Sequence, residues 1–155
     1  MILRTRGHSK GQALVEFAVV IPIFLLILFG ALDLGRVIWA NDIVANAARE
    51  GARYASVHGS SELTQVASKD EIRAHTLESL VAAGQSPVVT VCYASVQIAT
   101  QKSGCSGSQD ESGASNRRGA LVTVNVTTTV EIFTGSLLGM SNFTVNGTST
   151  VLINN

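Results

Sequence analysis

Lys10-Gly11-Gln12-Ala13-Leu14-Val15-Glu16-Phe17 opens a run that continues as AVVIPIFLLILFGALDLGR from Ala18 to Arg36, and this stretch decides the fold. Phe17 to Leu32 holds sixteen residues without a charge. Extended back to Ala13, the run covers twenty positions interrupted only by Glu16. Twenty helical residues rise about 30 Å, the thickness of a bilayer core. Residues 1–11 carry Arg4, Arg6 and Lys10 with no acid, a net +3. The remaining residues hold eight basic and eleven acidic side chains, a net −3. Because Lys and Arg stay on the cytoplasmic side, the N-terminus is expected inside and the rest of the chain exported.

Two rivals explain the run less well. A chain of 155 residues would struggle to surround a helix that is apolar on every face, which disfavours a buried core helix. A cleavable secretory signal has a shorter apolar region, of about 7–15 residues, followed closely by an A-x-A site. Phe29-Gly30-Ala31 is a poor substitute for that site.

Glu16 is the exception within the run. A carboxylate deep in a membrane helix costs about 2.5–3.5 kcal/mol on an insertion scale, so it needs a partner or an interfacial position. Cleavage after Gly11 would place a new α-amino group on Gln12, one helical turn from Glu16, and the two charges would pair within a chain or between neighbours. Glycine at a cleavage site, with glutamate five residues later at the head of an apolar helix, resembles the type IV prepilin processing signal. The run GQALVEFAVVIPIFLLILFGALDLGR is similar to the opening of the TadE-like pseudopilins of the tight-adherence (Flp pilus) assembly system. Phe17 directly after Glu16, Pro22 and the Gly30…Gly35-Arg36 ending all fit that family. The resemblance implies a type IV pilin-like architecture and cutting between Gly11 and Gln12 by a prepilin peptidase. It also implies that Glu16 helps dock the subunit into a fibre or platform. Its implied partners are the prepilin peptidase, other pseudopilins or pilins, and the pilus assembly platform, with membrane lipid around the helix.

Beyond the run, Asp33 and Arg36 mark the outer boundary, and Trp39 stands where an interfacial aromatic anchor is expected. Pro22 lacks an N–H and is expected to bend or loosen the helix one turn before it. Helical character continues through NDIVANAAREGARYASVHG, with Ala40, Val44, Ala47, Gly51 and Ala55 on one face and Ala48 and Ala52 beside them. Such small residues allow close backbone approach to a sheet or another helix. Gly59-Ser60-Ser61 is expected to end this helix. Ser68-Lys69-Asp70-Glu71 has the form of a capping box, followed by an apolar face of Ile72, Leu77, Leu80 and Val81 and a terminator at Gly84. His75 is expected on the surface, since His8 and His58 make no metal-ligand spacing with it.

From Pro87 the pattern turns to strands: Val89, Val91 and Tyr93 alternate with Thr90 and Cys92 as far as Ile98. Ala120 to Phe133 alternates Val122, Val124 and Val126 with Thr123, Asn125 and Thr127. Phe143 to Ile153 is a third run, with Asn146-Gly147 as an expected bulge or turn. Three strands after two helices give an α+β fold, a small antiparallel sheet whose apolar face rests on the long helix. The expected divisions are a cytoplasmic leader at 1–11, a transmembrane helix at 12–35, an exported helical region at 36–84 and an exported β region at 85–155. Thr100 to Gly119 is rich in Gly and Ser and is expected to be a loop on the exported side. Cys92 and Cys105 lie thirteen apart, and in an oxidising compartment would form a disulfide worth about 3 kcal/mol.

Formal charge is zero and charged residues are 14% of the chain, which gives no basic field for nucleic acid. A mean hydropathy of +0.31 excludes general disorder. No Walker loop, G-x-S-x-G elbow, H-E-x-x-H, C-x-x-C or dinucleotide fingerprint occurs, so neither an enzyme nor a cofactor is expected. The expectation is a minor pilin-like subunit, single-pass in the inner membrane with its C-terminal domain periplasmic or extracellular. The alternative is a signal-anchored envelope protein that binds a ligand through its β domain.

Overall fold

The computed structural model describes residues 9–58, 67–80, 85–95, 118–135, 139 and 142–154. Its elements in chain order are α1 (Ser9–Val57), α2 (Lys69–Glu78), β1 (Gln85–Ser95), β2 (Ala120–Glu131) and β3 (Asn142–Leu152). The fold is α+β: a long N-terminal helix, a short helix and a three-stranded antiparallel sheet in the order β1-β2-β3.

α1 is one helix of 49 residues, and Pro22 lies inside it without ending it. At 1.5 Å per residue it is roughly 74 Å long. Its two halves have opposite surroundings. The apolar window near its N-terminus has no buried residue. Beyond Trp39, by contrast, Ala40, Val44, Ala47, Ala48, Ala52 and Ala55 are all buried. This is the small-residue face expected from the sequence, and it packs on β2, β3 and α2.

Glycine sets how closely these layers approach. Gly147, expected at a bulge or turn, instead sits in the interior of β3 in regular register opposite Val126. A Cβ built there would lie 2.7 Å from the Val44 carbonyl oxygen and 2.9 Å from the Ala45 Cα. The residue is glycine because the helix backbone crosses the strand at this point. Gly51 plays the same part toward α2, since a Cβ there would collide with Thr76.

Alternation along β2 follows the expected pattern. Val122, Val124 and Val126 are fully buried against the helices, joined by Thr128 and Val130 farther along the strand. Val89, Val91 and Tyr93 of β1 complete the inner face. On the outer face Thr123 pairs with Thr150, their hydroxyls 2.9 Å apart. β1 begins before Pro87, which falls where the pairing register shifts between Gln85 and Val88, an edge-strand position that tolerates the missing N–H. β2 ends at Glu131, two residues earlier than the apolar pattern implied, because Phe133 and Thr134 turn to meet α1.

α2 starts with the expected capping box: Glu71 N–H donates to Ser68 Oγ at 3.2 Å and Ser68 N–H donates to Glu71 Oε2 at 2.7 Å. Its inner face departs from expectation. Ile72 and Leu80 are buried, but Leu77 is exposed and Thr76 takes the inner position. Thr76 is small enough to fit against Gly51, and its hydroxyl donates to the Ile72 carbonyl at 2.6 Å, so the polar atom is buried with a partner. His75, expected on the surface, is half-buried and packs its ring on Tyr54, 4.3 Å between centroids. Residues 1–8 of the leader, the helix end expected at Gly59 to Ser61, Val81, Gly84, 96–98 of the first strand run and most of the loop expected over Thr100–Gly119 lie outside the described residues.

Candidate membrane and assembly site

The site is the N-terminal half of α1 together with the turn that follows β2. At its head, Gly11, Gln12, Glu16 and Phe17 are all exposed on the helix. Gln12 and Glu16 are one turn apart, and the Gln12 side-chain amide donates to Glu16 Oε1 at 3.1 Å. The two residues singled out for pairing are therefore in mutual reach by helix geometry alone. Among the described residues nothing lies within 4 Å of where a Gly11 Cβ would stand, so none of them requires glycine at that position by packing.

From Leu14 to Leu32 the large apolar side chains point outward: Leu14 is 70% exposed, Phe17 64% and Ile27 65%. The helix is long and apolar enough to cross a membrane, with a mean hydropathy of 2.7 in its apolar window. A helix apolar all round and uncovered by its own chain requires an apolar medium or partner. Pro22 is exposed in this stretch and lines a groove of about 690 Å³ with Leu26, Phe29, Arg36 and Phe133.

Asp33 closes the apolar run in a way its sequence position did not disclose. Its carboxylate is buried and accepts three hydrogen bonds from the turn after β2. Phe133 N–H donates at 3.1 Å, Thr134 N–H at 2.8 Å and the Thr134 hydroxyl at 2.7 Å. Arg36, one turn on, lays its guanidinium 4.8 Å from the centre of the Phe133 ring and donates to the Glu131 carbonyl at 3.4 Å. Asp33 and Arg36 thus latch the end of the sheet to α1, while Trp39 stays exposed beyond them. The one sequence signal was an acid at the end of an apolar run, a group that needs donors, and the donors lie a hundred residues away.

Cys92 is buried in β1 as a disulfide-bonded cysteine. Cys105 lies outside the described residues. Among the described residues no three His, Cys, Asp or Glu side chains converge to hold a metal.

A family model described as TadE-like protein matches residues 11–53. This segment of the chain is similar to TadE-like proteins. The match begins at Gly11, spans the exposed apolar helix and the Asp33–Arg36 latch, and ends within the small-residue face at Arg53. It covers a little over a quarter of the chain and leaves out α2 and the sheet. No curated protein and no solved structure matches the chain.

Proposed function

We propose that the chain is a minor pilin-like membrane subunit, a pseudopilin, needed to assemble a tight-adherence pilus. The observation that carries this reading is the TadE-like segment itself: a long apolar helix that its own chain leaves bare, headed by Gln12 and Glu16 in hydrogen-bond contact. TadE-like proteins are a structural family of pilus assembly rather than of catalysis. In this reading residues 12–35 of α1 cross the inner membrane, with the leader cytoplasmic and α2 and the sheet exported. A prepilin peptidase cuts between Gly11 and Gln12. The new ammonium on Gln12 then neutralises Glu16, in the same chain or in its neighbour, so that the helix head enters an assembly without an unpaired charge. Phe17 and Pro22 offer the surfaces that neighbouring helices grip. Partners are the peptidase, other pseudopilins or pilins and the assembly platform. The mechanism is association, with no turnover.

N-terminal sequencing of membrane-extracted protein, with and without the prepilin peptidase, tests the reading. Gln12 as first residue in the presence of the peptidase supports it. An intact Met1 points to the signal-anchored envelope protein, and a start near Leu32 to secretion. Gly11→Ala is expected to abolish cutting, whereas Glu16→Ala leaves cutting intact and lowers pilus yield. Normal maturation of the Gly11 variant overturns the assignment.

A further inference from the structure

The end of β2 and the start of β3 lie beside the apolar half of α1, and their side chains are unlike those of a hairpin end made for water. Phe133 is 74% exposed and Phe143 45% exposed. Apolar side chains bared at such an end mark a contact surface. The latch decides which contact. Through Asp33 it holds Phe133 and Thr134 at the level where the uncharged run of α1 ends. Phe133 borders the groove formed by Pro22, Leu26 and Phe29, so whatever covers that part of α1 also meets the Phe133 ring. Phe143 shares a second cavity with Gly30 and Leu34, on the other side of Asp33. Arg36 and Trp39, both exposed, stand at or just beyond the same height.

We infer that the residues just after β2 and at the start of β3 make a second membrane contact: Phe133 and Phe143 seat in the interfacial zone of the outer leaflet, with Arg36 at the level of the lipid phosphates. The inference rests on the proposal that α1 crosses a bilayer. Lipid is the occupant because the two rings border different faces of α1 at one height. A membrane surface takes both together, whereas a second copy of α1 lying in either groove would cover one. Apolar rings with a cation at their outer edge also match the composition of segments that lie in the membrane interface. Seated in this way, the exported domain is fixed in tilt against the membrane and does not swing about α1.

Trp39 is the only tryptophan, which makes the test direct. In a Trp39→Phe background the full chain is placed in phosphatidylcholine–phosphatidylglycerol vesicles carrying nitroxide-labelled acyl chains, with single Phe133→Trp, Phe143→Trp or Phe24→Trp changes. The indoles introduced at 133 and 143 are expected to lose most of their emission to a nitroxide near the headgroup end of the acyl chain and to resist aqueous iodide. Strong iodide quenching without loss to the lipid nitroxide overturns the inference. So does protection from both quenchers that disappears on dilution into excess lipid, which identifies a second copy as the cover. The indole at 24 reports α1 itself: if a deep nitroxide fails to quench it, the membrane-crossing proposal fails as well. If it is quenched while those at 133 and 143 are not, the second contact alone fails.

Discussion

Three residues carry more of the architecture than their types announce. Gly147 faces helix backbone, which has no side chain to swing away, so Gly147→Ala must push β3 off α1. A loss of about 1–3 kcal/mol in denaturant unfolding is expected, as for other overpacked cores. Gly51 faces the Thr76 side chain instead, so Gly51→Ala should destabilise while the double change with Thr76→Ala recovers much of the loss. The alanine then adds about 1 kcal/mol of helix propensity. If Gly51→Ala is neutral by itself, the close approach of α2 to α1 is wrong. Asp33 accepts from two backbone amides, and Asp33→Ala leaves both without that acceptor, a cost of about 1–3 kcal/mol. Amide hydrogen exchange at Phe133 and Thr134 should quicken in the Ala variant, with Asp33→Asn intermediate because one acceptor oxygen remains.

At the scale of elements, α1 is two helices in one. Its apolar stretch before Asp33 has no buried residue, and its second half is the central support of α2 and the sheet. In the second half Glu50 and Arg53 form a surface pair, with Arg53 Nη2 to Glu50 Oε1 at 3.0 Å. The hydrogen bond from Arg53, aided by its charge, holds the Glu50 carboxyl below its ordinary range, and the same bond raises Arg53. Because the folded-state pKa of Glu50 is depressed, the pair's contribution is fully present above the unfolded glutamate value. It is lost as pH falls through the lower folded value. Both side chains are well exposed, so the effect is small and fades with salt. Unfolding midpoints from pH 7 down to pH 3 should fall slightly less for Arg53→Gln than for the parent, and equal slopes would show that the pair contributes nothing.

For the whole molecule, one latch and one cross-link tie distant parts of the chain together. The latch joins Asp33 to Phe133 and Thr134, so the far end of the sheet is tied to α1. The cross-link is the proposed Cys92–Cys105 disulfide, which closes the first stretch of the long β1–β2 connection. Its reduction should cost about 3 kcal/mol of stability by the loop-closure argument. Intact mass of protein prepared without reductant should be two hydrogens below that of the dithiol, and a full dithiol mass in oxidised preparations would remove the bridge.

The sequence alone determined the features written in local spacing. These are the apolar run of α1 and its Gln12–Glu16 turn, the small-residue face from Ala40 to Ala55, the Ser68 capping box and the Val/Thr alternation of β2. Each depends on the period of one element, which neighbouring residues specify. Only the tertiary structure decided why Gly147 is glycine within a strand, why Thr76 displaced Leu77 from the inner face of α2, and what the Asp33 carboxylate binds. Those answers depend on which backbone crosses which, and on donors about a hundred residues away, and neither is encoded in the spacing of adjacent side chains.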